Sequence, residues 1–266
     1  MESFAVISGK ASSGLDGALQ TITATAKERY ANYTTAHHEW IDKLPSGDYK
    51  TSINSIRYST DILDEIKKRF PNTAIKNVMH VDEVYWAVSP KTAKGSDRSL
   101  VDCHYDAPFG LIPTGGVIYY RVIIAANEND AVTTVFPAEN QKVKMNTGDF
   151  HGLDYNKDWH CVEGKIPAGK YRVLLKLHYL ITPPGSEVYA PYVEGVNVAW
   201  TVGSRETMRM SADPQNVLEW LVGLFVNVCR FTFNHWVPFS FIILIILGLC
   251  FNPKIFDSLF RRFVKN

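Results

Sequence analysis

The chain has 266 residues, enough for one sizeable domain with appendages or for two small ones. Apolar residues make up 46% and charged residues 21%, which excludes a disordered or fibrous chain. The formal net charge is +1 and the basic residues are scattered, so no nucleic-acid partner is expected. Four cysteines (Cys103, Cys161, Cys229 and Cys250) are too few for a disulfide scaffold. Met1–Lys10 lacks the basic start and apolar core of a secretory leader, so synthesis in the cytosol is the expectation.

In chain order, residues 1–11 read as loose. Residues 15–43 read as a helix, with Leu19, Ile22, Ala26, Tyr30, Tyr33, His37, Trp40 and Ile41 at steps of three and four. Pro45-Ser-Gly-Asp closes it. A second helix is predicted over 60–70. Ser59 or Thr60 can cap its start, Lys67, Lys68 and Arg69 suit the negative end of its dipole, and Pro71 stops it.

From about residue 75 the texture becomes that of strands. Val78–Val88 is β-branched and aromatic, and Ser99–Tyr105 is short. Val117–Ala126 is the continuous apolar run of a central strand. Val132–Phe136, Gln141–Met145, Tyr171–Ile181 and Val193–Val202 follow, separated by turns. Helices first and many short strands after predict a β-dominated α+β fold built on an antiparallel barrel or sandwich. The divisions are a helical region 1–74, a β domain 75–204 and a tail 205–266.

The tail is different in character. Trp236–Phe251 gives 16 residues without a charge, and starting from Phe231 gives 21. At about 1.5 Å per residue such a helix crosses a hydrocarbon core of about 30 Å. A C-terminal transmembrane helix over 231–251, contacting the lipid bilayer, is therefore expected. Lys254, Arg261, Arg262 and Lys265 suit the cytosolic interface. Topology stays open between a hairpin formed with Val217–Val228 and a single crossing. The main domain is expected on the cytosolic side of the membrane.

The residues that carry chemistry are His104, Asp106 and His160. In a strand, residues two apart share a face, so His104 and Asp106 project together while Cys103 and Tyr105 point the other way. His160 follows after 53 intervening residues, and Arg172 stands twelve further on. Two imidazoles and one carboxylate on one face of an octahedral Fe(II) leave three adjacent positions open. A downstream arginine supplies a planar fork for a carboxylate. His80-Val81-Asp82 is a second His-x-Asp, and His151 is a rival for the distal position.

His104-Tyr105-Asp106, Val117–Ala126, Val143–Asp149, His160–Glu163 and Gly169–Tyr179 together resemble the Fe(II)/2-oxoglutarate-dependent dioxygenase superfamily, near its prolyl-4-hydroxylase-like branch. The resemblance spans roughly residues 75–182. It implies a double-stranded β-helix, or jelly roll, with supporting N-terminal helices. It implies Fe(II) on His104, Asp106 and His160, and 2-oxoglutarate held by Arg172 or Lys170. Tyr119, with Tyr120 and Arg121, is a candidate pocket wall. The implied activity is hydroxylation of a protein side chain or small molecule, the protein being substrate or partner.

Two other readings stand beside it. One is a non-catalytic, membrane-anchored jelly-roll structural or assembly protein, such as a shell component of a large virus or a subunit of an organelle complex. A His160 turned outward would favour it. The other is a zinc site, which needs thiolate ligands or a polarised water with a nearby base.

Overall fold

The computed structural model describes residues 6–33, 36–88, 103–107, 109–212 and 214–224. The chain divides into two units, Met1–Val202 and Gly203–Asn266. The expected span 231–251 lies outside the described residues. Among those that are described, no helix is long and apolar enough to cross a membrane.

The first unit begins with strand β1 (Ile7–Lys10), within the segment expected to be loose, and continues into helix α1 (Asp16–Arg29). Leu19, Ile22 and Ala26 form the buried stripe of α1. This helix stops fourteen residues short of the expected end at 43. The next element is strand β2 (His37–Trp40), which pairs with β4 (Glu83–Val88). The apolar spacing through Tyr33, His37 and Trp40 satisfies either period in so short a stretch, and edge pairing decided it. Arg29 Nε and the Tyr30 hydroxyl both donate to Glu39, at 2.8 and 2.6 Å, which fastens the end of α1 to β2.

Helix α2 (Asp48–Arg57) was not expected. It buries Tyr49, Ile53 and Ile56 and starts after Gly47, whose φ of 148° suits glycine. Helix α3 (Thr60–Arg69) matches expectation, with the Ser59 hydroxyl accepting from the Asp61 amide at 3.2 Å.

The remaining strands are β3 (Ala74–Asn77), β5 (Ile118–Ala125), β6 (Asn129–Phe136), β7 (Gln141–Met145), β8 (Asp149–Asp154), β9 (Cys161–Gly164) and β10 (Tyr171–Thr182). One sheet runs β1-β8-β5-β10-β4-β2, with β3 added to β10. The other runs β7-β6-β9. All the pairings are antiparallel. His104 extends the small sheet by pairing with His160 at the start of β9. From β5 onward the chain passes from the large sheet to the small one (β6, β7) and back (β8), then to β9 of the small sheet and β10 of the large one, the crossing pattern of a jelly roll.

The large sheet is buried on both faces. Val173, Leu175, Leu177 and Tyr179 of β10 join Val84, Trp86, Tyr120, Val122 and Ile124 against the three helices. The alternate residue Leu174 packs inward with Tyr85, Ala125 and Met145, where the two sheets meet. Burial on both faces is why β5 and β10 read as unbroken apolar runs.

The segment Val193–Val202 is not a strand as expected but part of helix α4 (Ala190–Ala212). Its valines suggested a strand. However, Val193, Asn197 and Thr201 are buried at steps of four, the period of a helix face. The Asn197 side chain donates to the Val193 carbonyl at 2.9 Å, and the Thr201 hydroxyl to the Asn197 carbonyl at 2.8 Å. In the second unit, residues 217–224 are helical, and Glu219 accepts from Arg209 through both carboxylate oxygens at 3.2 Å.

Candidate metal centre

His104, Asp106 and His160 each offer one ligand atom, and these atoms all lie within 4.8 Å of one another. The backbone explains the convergence. The His104 amide donates to the His160 carbonyl at 2.9 Å, and the His160 amide returns a bond to the His104 carbonyl at 3.1 Å. The two histidines are thus directly opposite across an antiparallel pair, and their rings leave the same face, with centroids 4.6 Å apart.

Each ligand is fixed from behind. His160 Nδ1 sits 3.0 Å from the Asp158 carbonyl, which places the proton on Nδ1 and leaves the Nε2 lone pair for a metal. The Asp106 carbonyl accepts from Trp200 Nε1 at 3.0 Å, and the Ala107 amide donates to the Tyr155 carbonyl at 3.1 Å. Asp106 Oδ1 faces His104 Nε2 at 3.8 Å, and its Oδ2 meets Arg121 Nη1 at 2.9 Å. Burial by itself would raise the Asp106 pKa. The Arg121 guanidinium and the two histidines outweigh burial and hold the carboxyl well below its ordinary range. Burial lowers the His160 pKa, which keeps the ring neutral and able to ligate.

The register that opposes His104 to His160 also opposes Cys103 to Cys161, on the other face. The two form a disulfide, with Cα atoms 4.0 Å apart and a sequence separation of 58. Tyr105 and Trp159 follow on that outer face, with ring centroids 4.8 Å apart. The two cysteines are therefore spent on each other and face away from the ligand rings, which removes the zinc–thiolate reading. This covalent link was not expected. The signal lay in the mirrored order Cys-His-Tyr and Trp-His-Cys.

The other candidates separate clearly. Arg172 is 4% exposed and has the same strand parity as Leu174, so it belongs to the interior face of β10. Lys170 is exposed in the turn before β10, outside the interior. His151 is fully buried, with Nδ1 3.1 Å from Met145 Sδ, and does not join the three ligands. Burial, aided by the charges of His160 and Arg172, pushes its pKa down to about 3. Its Nε2 is buried without a hydrogen-bond partner. Tyr119 is fully buried, with its ring centroid 5.3 Å from that of Tyr155 and 5.7 Å from that of His178.

The decoy motif has a structural use. Asp82 is fully buried, accepts from Arg57 Nε at 2.7 Å and from the His178 amide at 2.7 Å, and is not near His104.

The donor set suits iron. Two imidazole nitrogens and one carboxylate oxygen, without thiolate, form a face that a borderline divalent ion accepts with open positions. The buried Arg172 guanidinium gives the same interior an anion-binding character. An anionic, chelating co-substrate such as 2-oxoglutarate fits that character.

No family model matches the chain, and no curated protein matches it. Among solved structures, it is similar to the non-haem α-ketoglutarate-dependent epimerase SnoN from nogalamycin biosynthesis. That match has 13% identity, covers 70% of this chain and 83% of that one, and has a TM-score of 0.48. It is also similar to a prolyl 4-hydroxylase from Phytophthora capsici, at 12% identity, 87% and 81% coverage and a TM-score of 0.44. A third is the viral collagen prolyl hydroxylase of Paramecium Bursaria Chlorella virus-1, at 12% identity, 67% and 96% coverage and a TM-score of 0.44. Likenesses this distant assign no activity, and the chemistry of the site follows from its own residues.

Proposed function

We propose that this chain is a non-haem Fe(II) oxygenase that uses O2 and 2-oxoglutarate to hydroxylate a protein side chain or a small molecule. The observation that carries the reading is the convergence of His104, Asp106 and His160 to within 4.8 Å in the mouth of a jelly roll. His104, Asp106 and His160 would hold the iron, and Arg172 the distal carboxylate of 2-oxoglutarate. When bound, the iron and 2-oxoglutarate would supply the chemistry in which O2 converts 2-oxoglutarate to succinate and CO2 and places its other oxygen atom on a substrate C–H bond.

The chain's own contribution is placement. Asp158 sets the His160 tautomer, Trp200 and Tyr155 anchor the Asp106 backbone, and Arg121 holds the second Asp106 oxygen. Lining the interior with buried, neutral His151 keeps it free of competing positive charge. The side chain of His104 is 41% exposed and that of Asp106 12%, so the centre opens at a rim where a bulky substrate can approach. His160 is 4% exposed and faces His104, which argues against the scaffold reading.

The proposal includes anchoring to a lipid bilayer through 231–251, tested by whether alkaline extraction releases the full chain from membranes. The oxygenase itself is tested by succinate formation. Fe(II)-dependent turnover of 2-oxoglutarate in the wild-type chain, lost in His104→Ala, supports it. Folded wild-type protein that forms no succinate refutes it.

A further inference from the structure

Arg121 touches a candidate metal ligand and is held by several neighbours. It is 2% exposed. Its Nη1 meets Asp106 Oδ2 at 2.9 Å. Its Nε donates to His178 Nε2 at 3.0 Å. Because that nitrogen accepts, the His178 proton is on Nδ1, which lies 3.3 Å from Asp82 Oδ1. Asp82 is in turn fixed by Arg57. The guanidinium lies over the Tyr155 ring, 4.3 Å from its centroid. Its remaining terminal nitrogen, Nη2, is buried and has no hydrogen-bond partner.

Two consequences follow from these contacts. The Arg121 charge sits against Asp106 Oδ2, which makes no hydrogen bond of its own, and Oδ1 is the oxygen that faces His104. The carboxylate can then occupy one metal position and not two, which preserves the open sites. An unpartnered, buried N–H of a guanidinium beside a metal carboxylate also calls for an acceptor, since leaving it unmet costs the full desolvation penalty. Asp106 Oδ2 is also without a hydrogen bond, and an anion bound at the open metal positions would bring further acceptor oxygens to the same place.

We infer that Arg121 is a positioning residue that makes Asp106 a single-oxygen ligand, and that its Nη2 binds the anionic co-substrate beside the metal. This inference rests on the oxygenase reading above. It assigns Arg121 a role separate from that of Arg172, which stands at the start of β10, six residues before His178, the pairing partner of Arg121.

The test is calorimetric binding of Mn(II) to the full chain, then of 2-oxoglutarate to the Mn(II)-loaded chain without O2. Wild type, Arg121→Met and Arg121→Lys are compared. Arg121→Met is expected to lose 10- to 100-fold in Mn(II) affinity, the usual cost of removing a group that orients a ligand. Arg121→Lys keeps the charge and is expected to recover Mn(II) binding to within a few fold. It is expected to bind 2-oxoglutarate about tenfold more weakly, because one compact ammonium cannot serve two acceptors as a planar fork does. Unchanged or tighter Mn(II) binding in folded Arg121→Met overturns the inference, since Arg121 would then compete with the metal. If Arg121→Met does not fold, Arg121→Lys decides: wild-type affinity for 2-oxoglutarate overturns it and weakened affinity supports it. Wild-type protein that takes up no Mn(II) defeats the oxygenase reading itself, whereas wild-type uptake with unaltered variants defeats only the role of Arg121.

Discussion

Opening the Cys103–Cys161 disulfide is predicted to weaken both the fold and the metal site. The bond closes a loop of 58 residues that contains β5 to β8. In the chain-entropy account, a cross-link over that separation removes about 4 kcal/mol of freedom from the unfolded chain. Two backbone hydrogen bonds, at 2.9 and 3.1 Å, also hold His104 to His160. At about 1 kcal/mol each they contribute about half as much. The covalent link is therefore the larger of the two restraints on the pair of ligands that must meet.

A dithiol reductant, which is itself oxidised as it frees two cysteine thiols, or the double variant Cys103→Ser/Cys161→Ser, provides the perturbation. Thermal melts should shift down by roughly 8–16 °C, taking about 2–4 °C per kcal/mol for a domain of this size. Mn(II) affinity should fall in the same samples, by about tenfold for each 1.4 kcal/mol of ligand ordering lost. Equal melting points and equal Mn(II) affinities in the oxidised and reduced chain would refute the reasoning. Disulfides persist in oxidising compartments, so the pairing pulls against the cytosolic expectation drawn from the N-terminus.

Other substitutions test other parts of the site. Asp106→Ala should abolish Mn(II) binding while leaving a folded chain, checked by calorimetry beside circular dichroism; retained binding would mean that the three ligands do not act together. Arg172→Met should weaken 2-oxoglutarate binding by at least tenfold while Lys170→Met leaves it unchanged, and the reverse order would move the anchor to the turn. Asp82→Asn leaves Arg57 with the half-exposed Asp42 as its remaining carboxylate and should cost about 1–3 kcal/mol in urea denaturation. Stability should also fall as pH drops below about 6.5. His151 and His178 have lowered pKa values through burial, so below that pH the unfolded chain binds protons that the native chain refuses. Each such histidine then contributes up to about 1.4 kcal/mol of loss per pH unit. For His151 the loss stops near its folded pKa of about 3. A urea midpoint that is flat between pH 7.5 and 5 would contradict this, and His151→Phe should reduce the slope.

The parts of the fold that could be read from sequence are those where one local signal had no competitor. Val117–Ala126 and Tyr171–Ile181 are apolar on both faces because helices cover one side and the second sheet the other, so β5 and β10 fall where expected. Elements whose identity was settled by distant partners were misread. His37–Trp40 became a strand only because β4 offered it an edge. Val193–Val202 became helix because one face could be buried against the first unit's core, as Val193 is, and β-branching was too weak a preference to resist.

The site divides along the same line. Strand parity placed His104 with Asp106 and Arg172 with the interior, because parity is a property of the local chain. Once His104 is taken to oppose His160, the same parity forces Cys103 to oppose Cys161, so the disulfide follows from the metal hypothesis and a register. Arg121 does not follow in this way. Its contact with Asp106 joins the two sheets, and no spacing along the chain states which level of one sheet faces which level of the other. The interior of a jelly roll is filled by such level-matched pairs. A sequence can list the residues that face inward, while the order of their meeting across the barrel is fixed by packing. That is why the candidate ligands could be read from the sequence and the arginine beside one of them could not.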